Sequence, residues 1–564
     1  MRARSALLLL CTLPIVGCGL VFGLGDYRID DTLGADGSFG GETGNGESGP
    51  PPECTTNAEC TDRATKQGPL PGDAGDGGPI GVDDAGVAPA VCVKSVGKCA
   101  RLLSEDCTQV LGDYKNDDAI VLATLFTLSG ATAATNLPRQ QSALLAAEEI
   151  NSSLGGSGIP PAKGTTRQRP LVVVSCDESK NLDRVGKHLV NELRVAGVVG
   201  PNTSQDTLDL TTRILSDPSA NTVIMSPTGV AAGIAGLADN NLTWRNIPSD
   251  IPRGKLMMAQ LNAMESGLKA NTMPGQVGGA RAGSLKLAIV YRDDAQGQSN
   301  FGVIAGDLQW NGAGLSAASN ASFVTISKYA PANAATEGAA IVADLEAKRP
   351  DVIAVFGQAE SVTSVLLPYE KALQAAGATR WPYYMLIDSN RTKELIDATV
   401  AAGVNPDLRV RLRGVGVTSQ PSALPVLNAF NAAYSARYGS NPRVSNMGQS
   451  YDGMYALALA LAATTDEPPS GKSIAKGLTK LGVGTDVLIG QANVRSAFQK
   501  LAAGETVRAT GTFSEFKWDN NGDLAGGLVE IWCVSSGTPN FFGSTGLTMD
   551  VATLTQSGTF TQCP

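Results

Sequence analysis

VAGVVGPNTSQDTLDLTTRILSDPSANTVIMSPTG, running from Val195 to Gly229, is the stretch that decides the fold. Its first residues, Val195 to Val199, are small and β-branched and read as a strand. Gly200 and Pro201 make a turn and a helix follows. A second apolar strand, Thr222 to Met225, ends in another hydroxyl-bearing turn, Ser226, Pro227 and Thr228. Strand, helix and strand in this order form a βαβ unit, whose two strands lie parallel and side by side. Both turns then emerge at the carboxyl edge of one sheet, where open α/β sheets bind ligands. They offer hydroxyls, backbone N–H groups and a positive helix N-terminus, a set suited to something small and negatively charged. Thr203 with Asp206 also fits a capping box, in which Thr203 simply satisfies the helix end.

Composition narrows the function. The chain has 564 residues, room for two to four domains, and 43% hydrophobic residues suffice for ordinary cores. Its 44 basic against 53 acidic residues leave a net charge of -9, and no basic run is sustained, so nucleic acid is excluded as a partner. The single histidine, His188 in GKHLVNEL, supports neither a catalytic triad nor a multi-histidine metal site and reads as a solvated helix-face residue. Neither a GxSxG elbow nor a metal motif occurs, which argues against a hydrolase; no enzyme activity, cofactor or metal is expected.

The N-terminus reads as an export signal. Arg2 and Arg4 precede an apolar run from Ala6 to Val16, too short for a resident membrane span. Ile15, Val16, Gly17 and Cys18 resemble the lipobox of bacterial lipoproteins. That resemblance implies cleavage of a signal peptide at 1–17, a lipid on Cys18 and a membrane tether; Gly19 in place of an aspartate favours the outer membrane. A flexible linker is expected over 18–53, rich in Gly, Asp, Ser and Pro, and a Cys-rich segment with a disordered insert over 54–107. Without Cys11 and Cys18, eight cysteines remain: Cys54, Cys60, Cys92, Cys99, Cys107, Cys176, Cys533 and Cys563. An even number in an exported chain points to disulfides. VCVKSVGKCARL reads as a small hairpin closed by Cys92 and Cys99. Of the five cysteines between Cys54 and Cys107 one must pair elsewhere, and Cys107 with Cys176 is the expected pair; connectivity is otherwise open.

From Asp118 strands and helices alternate. IVLATLF (Ile120 to Phe126) and PLVVVS (Pro170 to Ser175) are strands around an amphipathic helix, QSALLAAEEIN, with Leu144, Leu145, Ala147 and Ile150 on its apolar side. A helix from Leu182 to Arg194 leads into the βαβ unit. After NIPSDIPRG the alternation restarts with strands LKLAIVY, FVTISKY, DVIAVF and PYYMLID. Two long helical segments, LPVLNAFNAAYSARYG and QSYDGMYALALALAATT, follow, and the chain closes in β-like GTFSEFKW and GLVEIWCV. Two α/β units in tandem imply two lobes.

The ordered set IVLATLFTLSG, LLAAEEIN, GVVGPNTSQDTLDLTTRIL, VIMSPT, WRNIPSD, LAIVYRDDAQG, DVIAVFGQAESV, SYDGMYALALAL and FKWDNNGDL resembles the type I periplasmic binding proteins of the branched-chain amino acid class, whose fold the extracellular ligand-binding regions of amino acid receptors share. The resemblance implies an α/β fold of two Rossmann-like lobes joined by three crossovers, with a ligand cleft between them. Lobe one would take 118–249 plus 420–503 and lobe two 250–419 plus 504–564, with crossings near Pro248, Thr418 and Gly504. Cys107 and Cys176 match a lobe-one disulfide of the receptor relatives.

The resemblance also implies a site. A ligand carboxylate would be met by Asn202, Thr203 and Ser204 and by Ser226, Pro227 and Thr228, and a ligand ammonium by Asp388, which reads equally as a turn aspartate in LIDSN. Ser129 and Gly130 would line the cleft or permit close packing of the next helix. Gln296 stands where the family often has an aromatic residue, and Phe356, Gly357 and Gln358 follow the next strand. That exchange makes a branched-chain aliphatic ligand a weaker fit than a more polar amino acid or a compound of another kind. DNNGD (Asp519 to Asp523) reads as a hairpin turn rather than a calcium loop. The function implied is an exported, lipid-anchored binding protein that presents an amino acid-like ligand to an ABC transporter or a sensor. The alternative, on the same fold, is an outer-membrane scaffold that activates a peptidoglycan synthase or another envelope complex without a ligand.

Overall fold

The computed structural model of the chain describes residues 52–71, 79–130, 132–153, 158–162, 164–405, 407–439, 444–464 and 466–564. The expected signal peptide, Cys18 and all of the linker but Pro52 and Glu53 lie outside them. No helix among the described residues is long and apolar enough to cross a membrane.

Two sheets carry the fold. The first has the order Cys107–Leu111, Leu171–Asp177, Ile120–Phe126, Gly197–Val199, Val223–Ser226, Thr243–Arg245. All neighbours are parallel except the edge strand Cys107–Leu111. The expected βαβ unit is there: Gly197 pairs with Val223 and Val199 with Met225 in parallel register. The second sheet runs Val324–Tyr329, Leu287–Arg292, Val352–Phe356, Tyr383–Ile387, Leu412–Thr418 in parallel, then Leu528–Ser535, Phe541–Asp550 and Gln556–Ser557 antiparallel. Parallel strands are covered on both faces, which is why LVVVSCD and VIAVF are buried at every position. The helix Met447–Ala462 is apolar on all sides, and every residue from Gln449 to Ala462 is buried.

The cores show which segments go with which sheet. One core joins the first sheet to Phe430, Tyr451, Leu457, Val507, Ala509 and Phe516. Two others cover the faces of the second sheet and include Leu256, Val415 and Val529. The chain therefore crosses between Arg245 and the helix Asp250–Ala270, and again after Thr418. The third crossing is not at Gly504. Gly504 only links the helix Val494–Ala502 to the strand Val507–Thr510, which pairs with Thr485–Leu488. The chain leaves the first core after Phe516 and enters the second sheet at Leu528. GTFSEFKW forms isolated bridges, Thr510 to Glu515 and Trp518 to Leu524, not a strand. DNNGD is the tight turn expected: the Asp519 carboxylate accepts the N–H groups of Asn521 and Asp523 at 2.9 and 3.0 Å.

The Cys-rich segment is a helix, Asn57–Gln67, on a hairpin, Ala90–Val93 with Lys98–Arg101. Cys92 and Cys99 are cross-strand partners, but the expected bond between them is not formed. The disulfides are Cys54–Cys92 and Cys60–Cys99, tying the helical segment to the hairpin. A core of little more than Cys54, Cys60, Ala64, Ala88, Ala90 and Cys92 is too small to hold two elements together by burial, and cross-element bonds do that work. Cys107–Cys176 forms as expected, bonding the edge strand of the first sheet to its neighbour, and Cys533 pairs with Cys563. His188 is not solvated: it is buried, with Nδ1 2.8 Å from Glu192 Oε2 and Nε2 3.4 Å from the Leu102 carbonyl.

Candidate functional site

The strand ends of the first sheet carry the hydroxyl-bearing turns, and those hydroxyls are engaged with one another. Thr203 is the N-cap of the helix Ser204–Leu210, accepting the Asp206 N–H at 3.0 Å, so the capping reading describes it. Ser204 Oγ accepts the N–H groups of Val230 and Ala231 at 3.0 and 3.1 Å. Ser226, fully buried, donates to the Pro201 carbonyl at 2.8 Å and accepts the Gly229 N–H at 2.9 Å. Thr228 donates to the Asn202 carbonyl, and Pro227 is buried between them. The Asn202 N–H is taken by the Glu178 carboxyl at 3.0 Å, which also accepts the Thr127 hydroxyl at 2.8 Å. Burial, and then the charge of Asp206, push the Glu178 carboxyl well above the usual range. Ser129 and Gly130 are exposed at the same edge, with Ser129 Oγ 2.6 Å from Ser179 Oγ.

The second sheet brings three of the predicted residues together. Gln296 donates to Ser389 Oγ at 2.5 Å and accepts from the Gln358 amide at 3.3 Å, beside Asp388 at the end of the strand Tyr383–Ile387. Asp388 Oδ1 lies 3.2 Å from Arg391 Nε, one turn on. Arg391 also pairs with Glu530 at 2.7 Å and sits 5.4 Å over the Trp532 ring. Gly416 makes room for this pair: a Cβ there would come within 2.7 Å of both Asp388 Oδ1 and Arg391 Nη2. Phe356 is not at the cleft. It is fully buried in the core of the second sheet, because the strand places it on the face packed against the helix Asp250–Ala270.

A cavity of about 270 Å³ lies beside the second crossing. Asp388 and Arg391 border it from the second sheet, Thr418 and Ser419 from the second crossing, and Phe430 and Ser445 to Gln449 from helices on the first sheet, with Thr512 and Phe513. Asp388 is the one predicted ligand residue among its walls. Sequence reasoning missed Arg139. It rises from the helix Ala133–Ser152, donates through Nε to the Ser445 carbonyl at 2.9 Å and through Nη2 to Ser445 Oγ at 3.2 Å, and reaches Asn136 and Asn202 through Nη1 at 2.8 and 3.2 Å. Burial pushes its guanidinium down to about 10 against the opposing pull of Asp388. Arg391, also missed, stands at the i+3 position from Asp388, a spacing that signals an ion pair on one helical turn. At the other side of the cleft the Ala232 N–H donates to Ser299 Oγ at 2.9 Å, so the two halves touch there.

Two lobes, each a mostly parallel sheet with covering helices, exchange the chain three times and border an open, charged cavity beside the second crossing. No protein-family model matches the sequence, and no curated protein matches it. Among solved structures the chain is similar to a leucine binding protein from Thermotoga maritima MSB8, with 15% identity over 76% of this chain and 98% of that one and a TM-score of 0.50. It is equally similar to a type 1 periplasmic binding protein from Bordetella pertussis Tohama I, with 15% identity over 76% of this chain and all (100%) of that one, TM-score 0.50. The fold is that of the type I periplasmic binding proteins.

Proposed function

We propose that the chain is an exported solute-binding protein that takes an amino acid or a related compound between its lobes, for ABC-type uptake or for sensing. The observation that carries this reading is the cavity beside the second crossing, which Asp388 of one lobe borders and whose wall residue Ser445, on the other, holds Arg139. A ligand touching both would favour the closed arrangement, since a ligand shifts an equilibrium by its differential affinity for the two states. The similar Thermotoga maritima structure is of a leucine binding protein, and Gln296 and Gln358 beside Asp388 point this chain to a more polar compound. A lipid on Cys18 would keep the protein at the membrane, beside a permease or another envelope partner.

The test is thermal-shift screening with amino acids and related small molecules, followed by calorimetric titration of the hits. A binder at a hundred times its Kd should stabilise the protein by about 2.7 kcal/mol. If every compound leaves the melting temperature where it was, the solute-binding reading fails. One observation favours the scaffold alternative: the hydroxyls of the two turns are bonded to each other and Ala232 already reaches Ser299, as in a protein that holds its shape without a ligand. Co-purification of an envelope enzyme together with a flat screen would support it.

A further inference from the structure

Resting on the interlobe reading above, we propose that Arg139 receives the ligand's carboxylate, because Glu178 already occupies the anion seat of the 201–204 turn from inside the protein. The seat consists of the Asn202 N–H and the Thr127 hydroxyl, and both point to the Glu178 carboxyl, at 3.0 and 2.8 Å. The remaining hydroxyls of the two turns, those of Thr203, Ser204, Ser226 and Thr228, are bonded within the loops. A ligand carboxylate placed there would displace a built-in carboxyl or lie against it, and two carboxyls in contact disfavour a shared charge.

Arg139 has the opposite situation. Its four hydrogen-bond acceptors, the Ser445 carbonyl and hydroxyl and the side-chain oxygens of Asn136 and Asn202, are all neutral. No carboxylate lies within ion-pair distance of it among the described residues. These acceptors take four of the five guanidinium N–H groups and fix Arg139 against Ser445, a residue of the cavity wall, leaving one Nη2 N–H and a positive charge without a bonded anion. The acid that acts on it most is Asp388, across the cleft on the other sheet. Asp388 borders the cavity, with its Oδ1 buried 3.2 Å from Arg391 Nε, so its open side is the one toward the cavity. A ligand with a carboxylate at one end and an ammonium at the other fits between the two, carboxylate on Arg139 and ammonium on Asp388.

Three probes are titrated against the wild-type protein and Arg139→Gln: each amino acid that binds, its α-amide, and the amine left by its decarboxylation. The expected result is that Arg139→Gln weakens the carboxylate ligand by about 10- to 100-fold, the effect of one charge-assisted bond, and leaves the amide and amine within about threefold. A purely structural role for Arg139 would weaken all three alike, and that outcome overturns the proposal. So does a wild-type ligand that carries no anionic group, or a carboxylate ligand indifferent to the substitution; in both cases solute binding itself survives. Should no compound bind the wild type, the proposal and the solute-binding reading fall together. If Arg139→Gln does not fold, Arg139→Lys keeps the charge and removes the fork, and the same selective loss for the carboxylate probe is expected. Glu178→Gln, which keeps the bulk of the side chain and one acceptor oxygen in the seat, should leave the carboxylate ligand within about threefold; a gain in its affinity would show that the turn, not Arg139, is the seat.

Discussion

Asp523→Asn should destabilise the first lobe, and the size follows from the burial of its partner. Arg245 is fully buried at the end of the strand Thr243–Arg245, and Asp523, in the DNNGD turn, is 12% exposed. The guanidinium meets both carboxylate oxygens, with Nη2 2.6 Å from Oδ2, and its remaining N–H groups reach the Ala231 carbonyl at 2.8 Å. The substitution keeps the shape and deletes the charge, so the buried cation loses its hydrogen-bonded counter-ion and keeps only the attraction of the Asp250 carboxyl, with which it makes no ion pair. Breaking such a pair costs about 3 to 5 kcal/mol, and the residual exposure of Asp523 puts this case near the lower figure. For a domain of about 150 to 250 residues each kcal/mol moves the midpoint by roughly 2 to 4 °C, so the first-lobe transition should fall by about 6 to 12 °C. Differential scanning calorimetry resolves it if the lobes melt separately, and fluorescence of Trp244, which packs edge-on 5.7 Å from Trp518, reports on the same region. Arg245 also holds the 229–231 loop that precedes the contact of Ala232 with Ser299, so the variant should close on ligand less readily. A midpoint within about 1 °C of the wild type would refute the reasoning, because it would mean that the Arg245 charge is solvated without Asp523.

Two further outcomes are expected. Asp452 is buried in the helix Met447–Ala462, where it accepts the Thr512 N–H and hydroxyl, and burial pushes its carboxyl up from 3.8 to about 7. A raised folded-state value means that its contribution is fully present below about pH 4 and is lost as pH rises through 7, up to about 4 kcal/mol at roughly 1.4 per unit. Asp452→Asn should therefore flatten the decline of stability between pH 4 and 8 in urea titrations, and parallel curves for the two proteins would count against it. Gly416→Ala puts a Cβ within 2.7 Å of Asp388 Oδ1 and Arg391 Nη2, so it should move that pair and cost ligand affinity at least about tenfold while the melting temperature drops by only a few degrees; unchanged titration curves would remove Asp388 from the site.

The parallel sheets were legible because their strands are short apolar runs bounded by turns, a pattern that Val195 to Gly229 and DVIAVF both display and that burial on two faces requires. The first two crossings, near Pro248 and Thr418, were readable only from the family resemblance. The third was not, since Val507–Thr510 and Leu528–Ser535 look alike as sequence, and only packing assigns one to each core. Cysteine parity showed that a bond must leave the Cys-rich segment, while the exchange of Cys92 and Cys99 for partners in the helical segment depends on how a helix lies on a hairpin. In the site, residue types were visible but their engagements were not. Ser204 and Thr228 have the chemistry of carboxylate donors, and the neighbours that use them up come from turns about 26 residues away in the chain. Arg139 stayed hidden because a half-buried arginine in a helix has the same signature as a solvated one.

The placement of the two charges bears on how binding would be coupled to closure. Arg139 belongs to the helix Ala133–Ser152 of the first lobe, and Asp388 follows the strand Tyr383–Ile387 of the second, so the attraction between their charges acts across the cleft. A ligand with only a carboxylate would satisfy Arg139 but screen that attraction, losing part of what it contributes. A zwitterion replaces one long-range interaction with two short ones, one in each lobe, and it gains both only when the lobes are shut. Differential affinity of that kind is what moves a population, so the same affinity spread over one lobe would leave closure unchanged. Arg391 tightens the requirement: it already shares Asp388, and the ligand's cation must compete with a guanidinium held in place by Glu530 and Trp532. A compact ammonium, able to approach Asp388 from the cavity without displacing Arg391, would meet that condition better than a second guanidinium, which favours α-amino acids with neutral polar side chains over arginine-like ones.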